Sequence, residues 1–93
     1  MRLTFTRQGD YAIRAMLALA AAEPTTWLSV TRISAAMGIP ERILPRVMRT
    51  LTTAGLIEAR TGRTGGYRLT RSASSITLLD VITAAEPPDD ARS

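Results

Sequence analysis

Three arginines, Arg42, Arg46 and Arg49, recur at helical spacing between Pro40 and Ala54. At about 100° per residue they fall on one face, together with Pro45 and Thr53. The opposite face collects Leu44, Val47, Met48 and Leu51, the i, i+3, i+4, i+7 pattern of a side packed on a core. No carboxylate interrupts the basic stripe. Glu41 lies at its edge, early in the helix, where the macrodipole favours a negative charge. A helix that needs only solubility mixes both signs along its face. A guanidinium presents parallel N–H donors that match a phosphate or the O6/N7 edge of guanine. The chemistry on offer is therefore recognition of nucleic acid.

A second group lies a few residues on, in Thr61-Gly62-Arg63-Thr64-Gly65-Gly66, preceded by Arg60. Three glycines permit positive φ and close approach to another backbone. Taken alone this is a flexible hairpin loop. Beside a basic helix it reads as a wing reaching into a minor groove. Other chemistries find little support. The chain has no Cys and no His, so disulfides, thiolate sites, the usual zinc and iron ligand sets and the commonest general base are excluded. The glycines do not follow a nucleotide-binding spacing, and no enzymatic constellation or cofactor site is expected.

Composition agrees. Twelve basic residues, all Arg, face eight acids for a net charge of +4, a positive field that suits phosphate-bearing partners. With 93 residues, 45% of them apolar, the chain makes one small domain. No stretch reaches the length of a membrane span, Arg14 interrupts AIRAMLALAAA, and no signal-cleavage site follows it. We expect a cytoplasmic protein.

The elements that must position these residues can be taken in order. After 1–5, Thr6 caps a helix running to about Ala22, with Ala12, Ile13, Met16, Leu19 and Ala20 on its apolar face. Trp27-Leu28 is a short extended segment that pairs with a later hairpin, Trp27 packing in the core against that hairpin, with a ligand-pocket wall as the alternative. Ser29 caps a second helix, Val30 to Met37, which Gly38 ends in a left-handed conformation. Ile33, Met37, Ile39, Leu44 and Val47 are placed to touch across the turn, and Ser34, Ala35 and Ala36 are small enough for close approach. Pro40 suits the first position of the third helix. Pro45 does not suit its interior, where it costs about 3 kcal/mol, so the regular helix should start late or be bent there. Gly55 closes it. Ile57 to Arg60 and Tyr67 to Thr70 alternate as hairpin strands. Thr77 and Asp80 form an acidic capping box for a last helix, held down by Leu78, Leu79 and Ile82 and ended by Pro87-Pro88. The expected fold is mainly α with a small β-hairpin wing, a winged helix-turn-helix over residues 1–86, with a disordered tail at 87–93.

This order resembles the Rrf-two-type (IscR/NsrR-like) winged-helix regulators of bacteria. The likeness rests on MRLTFTRQGDYAIRAMLALA, on GIPERILPRVMRTLTTAGLI, and most specifically on TGGYRLTR followed by ITLLDVITAAE. It implies a homodimeric transcriptional regulator, a repressor, bound to double-stranded DNA at a pseudo-palindromic operator. It places recognition-helix contacts on Pro40, Arg42, Pro45 and Arg46, wing contacts on Ala59, Thr61, Gly62, Arg63 and Thr64, and a phosphate contact on Arg2. Arg49 and Arg60 join this set from their positions on the stripe and wing, and Arg7 stands near Arg2. The family often has glutamate where Pro45 stands. It often has Arg-Gly-Pro in the wing, where this chain has Thr61, Gly62 and Arg63. Many members also carry three cysteines and a long dimerisation helix, neither of which appears in these residues. Asp10, where some relatives place a cluster carboxylate, is expected to have a structural or surface role. The competing reading is a winged helix that meets an acidic protein partner.

Overall fold

The computed structural model of the protein describes residues 6–85. Arg2, the tail at 87–93 and the proposed stop at Pro87-Pro88 lie outside the described residues. Four helices and one antiparallel hairpin follow in the order α1 (Arg7–Ala21), α2 (Val30–Met37), α3 (Leu44–Thr53), β1 (Ile57–Arg60), β2 (Gly66–Leu69) and α4 (Leu78–Ala85), with a 3-10 turn at Ala73–Ser75 before α4.

α1, α2 and α4 each begin where a side chain satisfies a free backbone donor, whereas α3 begins after Ile43 without a side-chain cap. The Gly9 N–H donates to Thr6 Oγ1 at 3.0 Å, and the Arg32 N–H to Ser29 Oγ at 3.2 Å. At α4 the capping box closes both ways: the Thr77 N–H donates to Asp80 Oδ2 at 2.9 Å, and the Asp80 N–H to Thr77 Oγ1 at 3.0 Å. α2 ends at Gly38 with φ of 66°.

α1 crosses the centre and packs on α2, α3 and α4. It buries Ala12, Ala15, Met16, Ala18 and Leu19, while Ala20, expected on the apolar face, is exposed. Ile33, Ile39, Leu44, Val47, Met48, Leu51, Leu56, Ile57, Val81 and Ala85 complete the core. Two further expectations are corrected. Ala35 and Ala36 face solvent; the α2–α3 turn is closed by the Ser34 hydroxyl, which donates to the Ile39 carbonyl at 2.6 Å. α4 is held by Val81 and Ala85, whereas Leu78 and Leu79 are 55% and 70% exposed. An eight-residue helix with one turn on the core can bury only one stripe.

The hairpin pairs Ile57 with Leu69, Glu58 with Arg68, Ala59 with Tyr67 and Arg60 with Gly66. Leu28 adds a one-residue third strand: its N–H donates to the Tyr67 carbonyl at 2.9 Å, and the Tyr67 N–H donates back at 2.8 Å. Gly66 makes this possible. Its φ is 147°, and a Cβ there would run into the Leu28 carbonyl. Gly66→Ala should therefore lower stability by about 3 kcal/mol, measurable as a reduced denaturation midpoint; an unchanged midpoint would contradict the close pairing. The α4 cap makes a second prediction. Hydrogen bonds from Thr77, backbone first and then side chain, with a smaller contribution from the Arg71 charge, hold the Asp80 carboxyl below the usual range. A carboxyl lowered by folding adds stability above its unfolded pKa of about 3.9 and loses it as pH falls through the folded value. Amide shifts of α4 should report loosening on that acid side, and Asp80→Ala should be loosened already at pH 7 and show no such acid step.

Candidate nucleic-acid interface

The basic stripe is set by how α3 starts. Residues 41–43 form a turn rather than helix. The Ile43 N–H bonds the Pro40 carbonyl at 3.1 Å, and the Leu44 N–H bonds the Glu41 carbonyl at 3.2 Å. That carbonyl is the one an N–H at position 45 would have reached. Starting at Leu44 puts Pro45 in the first turn, where a missing N–H breaks no helical bond. Pro40 and Glu41 thus precede the helix instead of opening it. Glu41 turns toward α2, where its Oε1 accepts from the Thr31 hydroxyl at 3.2 Å.

Leu44, Val47, Met48 and Leu51 are each 1% exposed or less. Their burial turns Arg42, Pro45, Arg46, Arg49 and Thr53 to solvent, and all five are exposed. Among the described residues the arginines differ in whether an acid pairs with them. Arg14 pairs with Asp10 at 2.8 Å, Arg68 with Glu58 at 3.1 Å and Arg71 with Asp80 at 3.9 Å. Arg42, Arg46, Arg49 and Arg63 have no ion pair among the described residues. Asp10 is accordingly structural: its partner Arg14 also donates to the Met37 carbonyl at 3.4 Å, tying α1 to the end of α2.

The wing tip, 61–65, is exposed apart from Gly65, which is half-buried. Gly62 has φ of 105°, and a Cβ at Gly65 would collide with the Arg60 carbonyl. Arg63 projects from the tip without a partner among the described residues. Arg60 behaves differently: its Nη2 donates to the Thr64 carbonyl at 2.8 Å, and its guanidinium lies 4.6 Å from the centre of the Trp27 ring. Arg68 lies over the same ring at 4.2 Å. Trp27 thus packs against the hairpin as expected, but half-buried against two cations on its outer face and not in the core. Strand alternation could have shown this. Leu28 points inward, so Trp27 points outward, and Glu58, Arg60 and Arg68 share one parity once Glu58 is registered with Arg68.

The structure brings α3 and the wing together through contact of α3 with β1. Two helices across a tight turn, a following hairpin and unpaired arginines on the second helix define a winged helix-turn-helix domain. Residues 5–93 match the family described as Rrf2, iron-dependent transcriptional regulator, and the chain belongs to that family of regulators, which are not enzymes. Protein aau3 of Rhizobium meliloti (strain 1021) is 44% identical over 86 residues, 92% of this chain and 54% of its own length; the chain spans about half of that relative. Among solved structures, CymR (YrzC), the global cysteine regulator of B. subtilis, superposes with a TM-score of 0.86 at 29% identity, over 94% of this chain and 67% of CymR. T. potens IscR gives 0.83 at 30% identity, over 91% and 62%. The family description names iron. These 93 residues hold no Cys or His, and among the described residues no three acidic, Cys or His side chains gather as a ligand set. The residues present do not fit an iron site. Among them, too, no helix is long and apolar enough to cross a membrane.

Proposed function

We propose that this chain is the operator-binding domain of a bacterial transcriptional repressor that acts in the cytoplasm on double-stranded DNA. The observation that carries the proposal is the outward face of α3 and the turn that leads into it, where Arg46 and Arg49 on the helix and Arg42 on the turn stand exposed with no carboxylate partner among the described residues. An unpaired guanidinium is ready to exchange water and counterions for phosphate or guanine. In this reading Arg46 and Arg49 enter the major groove from α3, and Arg42, Pro40 and Pro45 meet its edge from the turn and first helical turn. Arg63 carries the minor-groove contact, with Thr61, Gly62 and Thr64 shaping the tip around it. Arg60 supports the wing, since stacking and a hydrogen bond already engage it. Arg2 is assigned a backbone phosphate from its sequence position.

The protein acts as a homodimer in this reading, on a pseudo-palindromic site whose halves lie about one helical turn, 34 Å, apart. Leu17 at 56% exposure, with Leu78 and Leu79, leaves apolar surface that a partner or further chain would cover.

Binding to duplexes from the region upstream of its own gene, followed by fluorescence anisotropy across a salt series, tests the proposal. Arg46→Ala should cost about tenfold or more on the preferred duplex and flatten discrimination against a scrambled one, as expected for loss of a bidentate base contact. Arg63→Ala should weaken both duplexes alike and reduce the salt slope by about one. Parent and both variants binding equally, or no binding at low salt, would overturn the assignment in favour of an acidic protein partner for the stripe.

A further inference from the structure

Trp27 is the only tryptophan of the chain, and neither the core nor the basic stripe accounts for it. Four observations converge on it. Both Arg60 and Arg68 place their guanidinium groups over its ring, at 4.6 and 4.2 Å. Arg68 is fixed in turn by Glu58 at 3.1 Å. Arg60 spans the mouth of the wing by bonding the Thr64 carbonyl at 2.8 Å. The backbone beside Trp27 is itself anchored, because Leu28 exchanges two hydrogen bonds with Tyr67.

We propose that Trp27 is a positioning residue for the wing: its ring holds Arg60 against the Thr64 carbonyl, and so fixes the tip that presents Arg63. The physical basis is simple. A loop with three glycines in six residues has a large conformational entropy to lose. A single exposed hydrogen bond from a long Arg side chain restrains it weakly, because that side chain must also be immobilised. Stacking on an indole immobilises the guanidinium through an electrostatic attraction to the ring face without consuming its N–H donors. The wing is thereby linked, through Arg60 and Trp27, to the segment that leads into α2. α2 packs against α3, and α3 against β1 of the same hairpin, so the tip is tied to the helix that carries the basic stripe. The importance of this for DNA rests on the function proposed above.

The test uses the 93-residue chain with Trp27→Phe, Trp27→Leu and Arg60→Met. Phe keeps an aromatic face, Leu keeps only apolar bulk, and Met keeps the length of Arg60 without its charge. The first readout needs no DNA: amide hydrogen exchange and NMR order of residues 61–65, with thermal melts to show that each variant is folded. Arg60→Met should also change iodide quenching of the lone Trp. Trp27→Leu and Arg60→Met should loosen the tip, while Trp27→Phe keeps it near the parent. The second readout is affinity for the preferred duplex. Trp27→Leu should lose about three- to tenfold, Trp27→Phe less than about twofold, and Arg63→Ala should cost markedly less in the Trp27→Leu background than in the parent.

A tip equally ordered in all variants overturns the proposal, as does equal loosening by Phe and Leu, which would mean that bulk rather than the aromatic face matters. Additive losses for Trp27→Leu and Arg63→Ala would do the same. If the parent binds no duplex, the DNA reading fails on its own, and the order of residues 61–65 still decides whether Trp27 holds the wing.

Discussion

Burial of one stripe of α3 is the constraint on which the rest depends. Leu44, Val47, Met48 and Leu51 fill the centre of the domain, between α1, α4 and the start of β1. A helix with that much apolar surface committed has no rotational freedom left. Every polar residue on its other side is then held at a fixed angle to the body. The arginines therefore face water because the core compels the helix to show that side. A recognition surface built this way is preorganised: its backbone need not be ordered when a partner arrives, and only side-chain rotamers remain to be chosen.

The turn before α3 solves a conflict between two requirements. Approach of α2 and α3 needs a short connection, and Pro40 and Pro45 stiffen it. A proline inside the helix would break a backbone bond. Delaying the helix to Leu44 removes the conflict, because the Glu41 carbonyl is used by the Leu44 N–H instead. Ser34 and Thr31 then fasten the turn to α2 through the Ile39 carbonyl and the Glu41 side chain. Arg42 and Pro40 consequently sit on a braced turn at the entrance to the helix.

The acids of the chain are distributed as unevenly as its arginines. Asp10, Glu58 and Asp80 each neutralise an arginine on α1, on the sheet or beside α4, and Glu41 is turned toward Thr31. Of the described arginines without an ion pair, Arg42, Arg46 and Arg49 gather on α3 and the turn before it and Arg60 and Arg63 on the wing, with Arg7 on α1 and Arg32 on α2 apart from them. A net charge of +4 understates the local field at α3 for this reason: the three ion pairs lie on α1, on the hairpin and beside α4. The wing itself is more constrained than its glycines suggest, since Gly66 lets a third strand close on it and Arg60 bridges its mouth.

Much of this was legible in the residues. The 3.6-residue period of 44–51 located the core face and, by subtraction, the arginine stripe. Thr6, Ser29, Gly38, Thr77 and Asp80 marked helix ends because capping is local chemistry, decided by side chains three or four positions from the backbone groups they satisfy. The likeness in TGGYRLTR and ITLLDVITAAE identified the family. Tertiary structure alone decided other matters. Ala20, Ala35 and Ala36 are small apolar residues whose burial depends on which neighbour arrives, and none did. Leu78 and Leu79 stayed outside because α4 meets the core with the face that carries Val81 and Ala85. Trp27 reads as core by hydrophobicity, yet the register of a distant hairpin set two guanidiniums against it. Short-range backbone chemistry is written in sequence order, whereas the partners of a side chain are chosen by elements that meet only after the chain has folded.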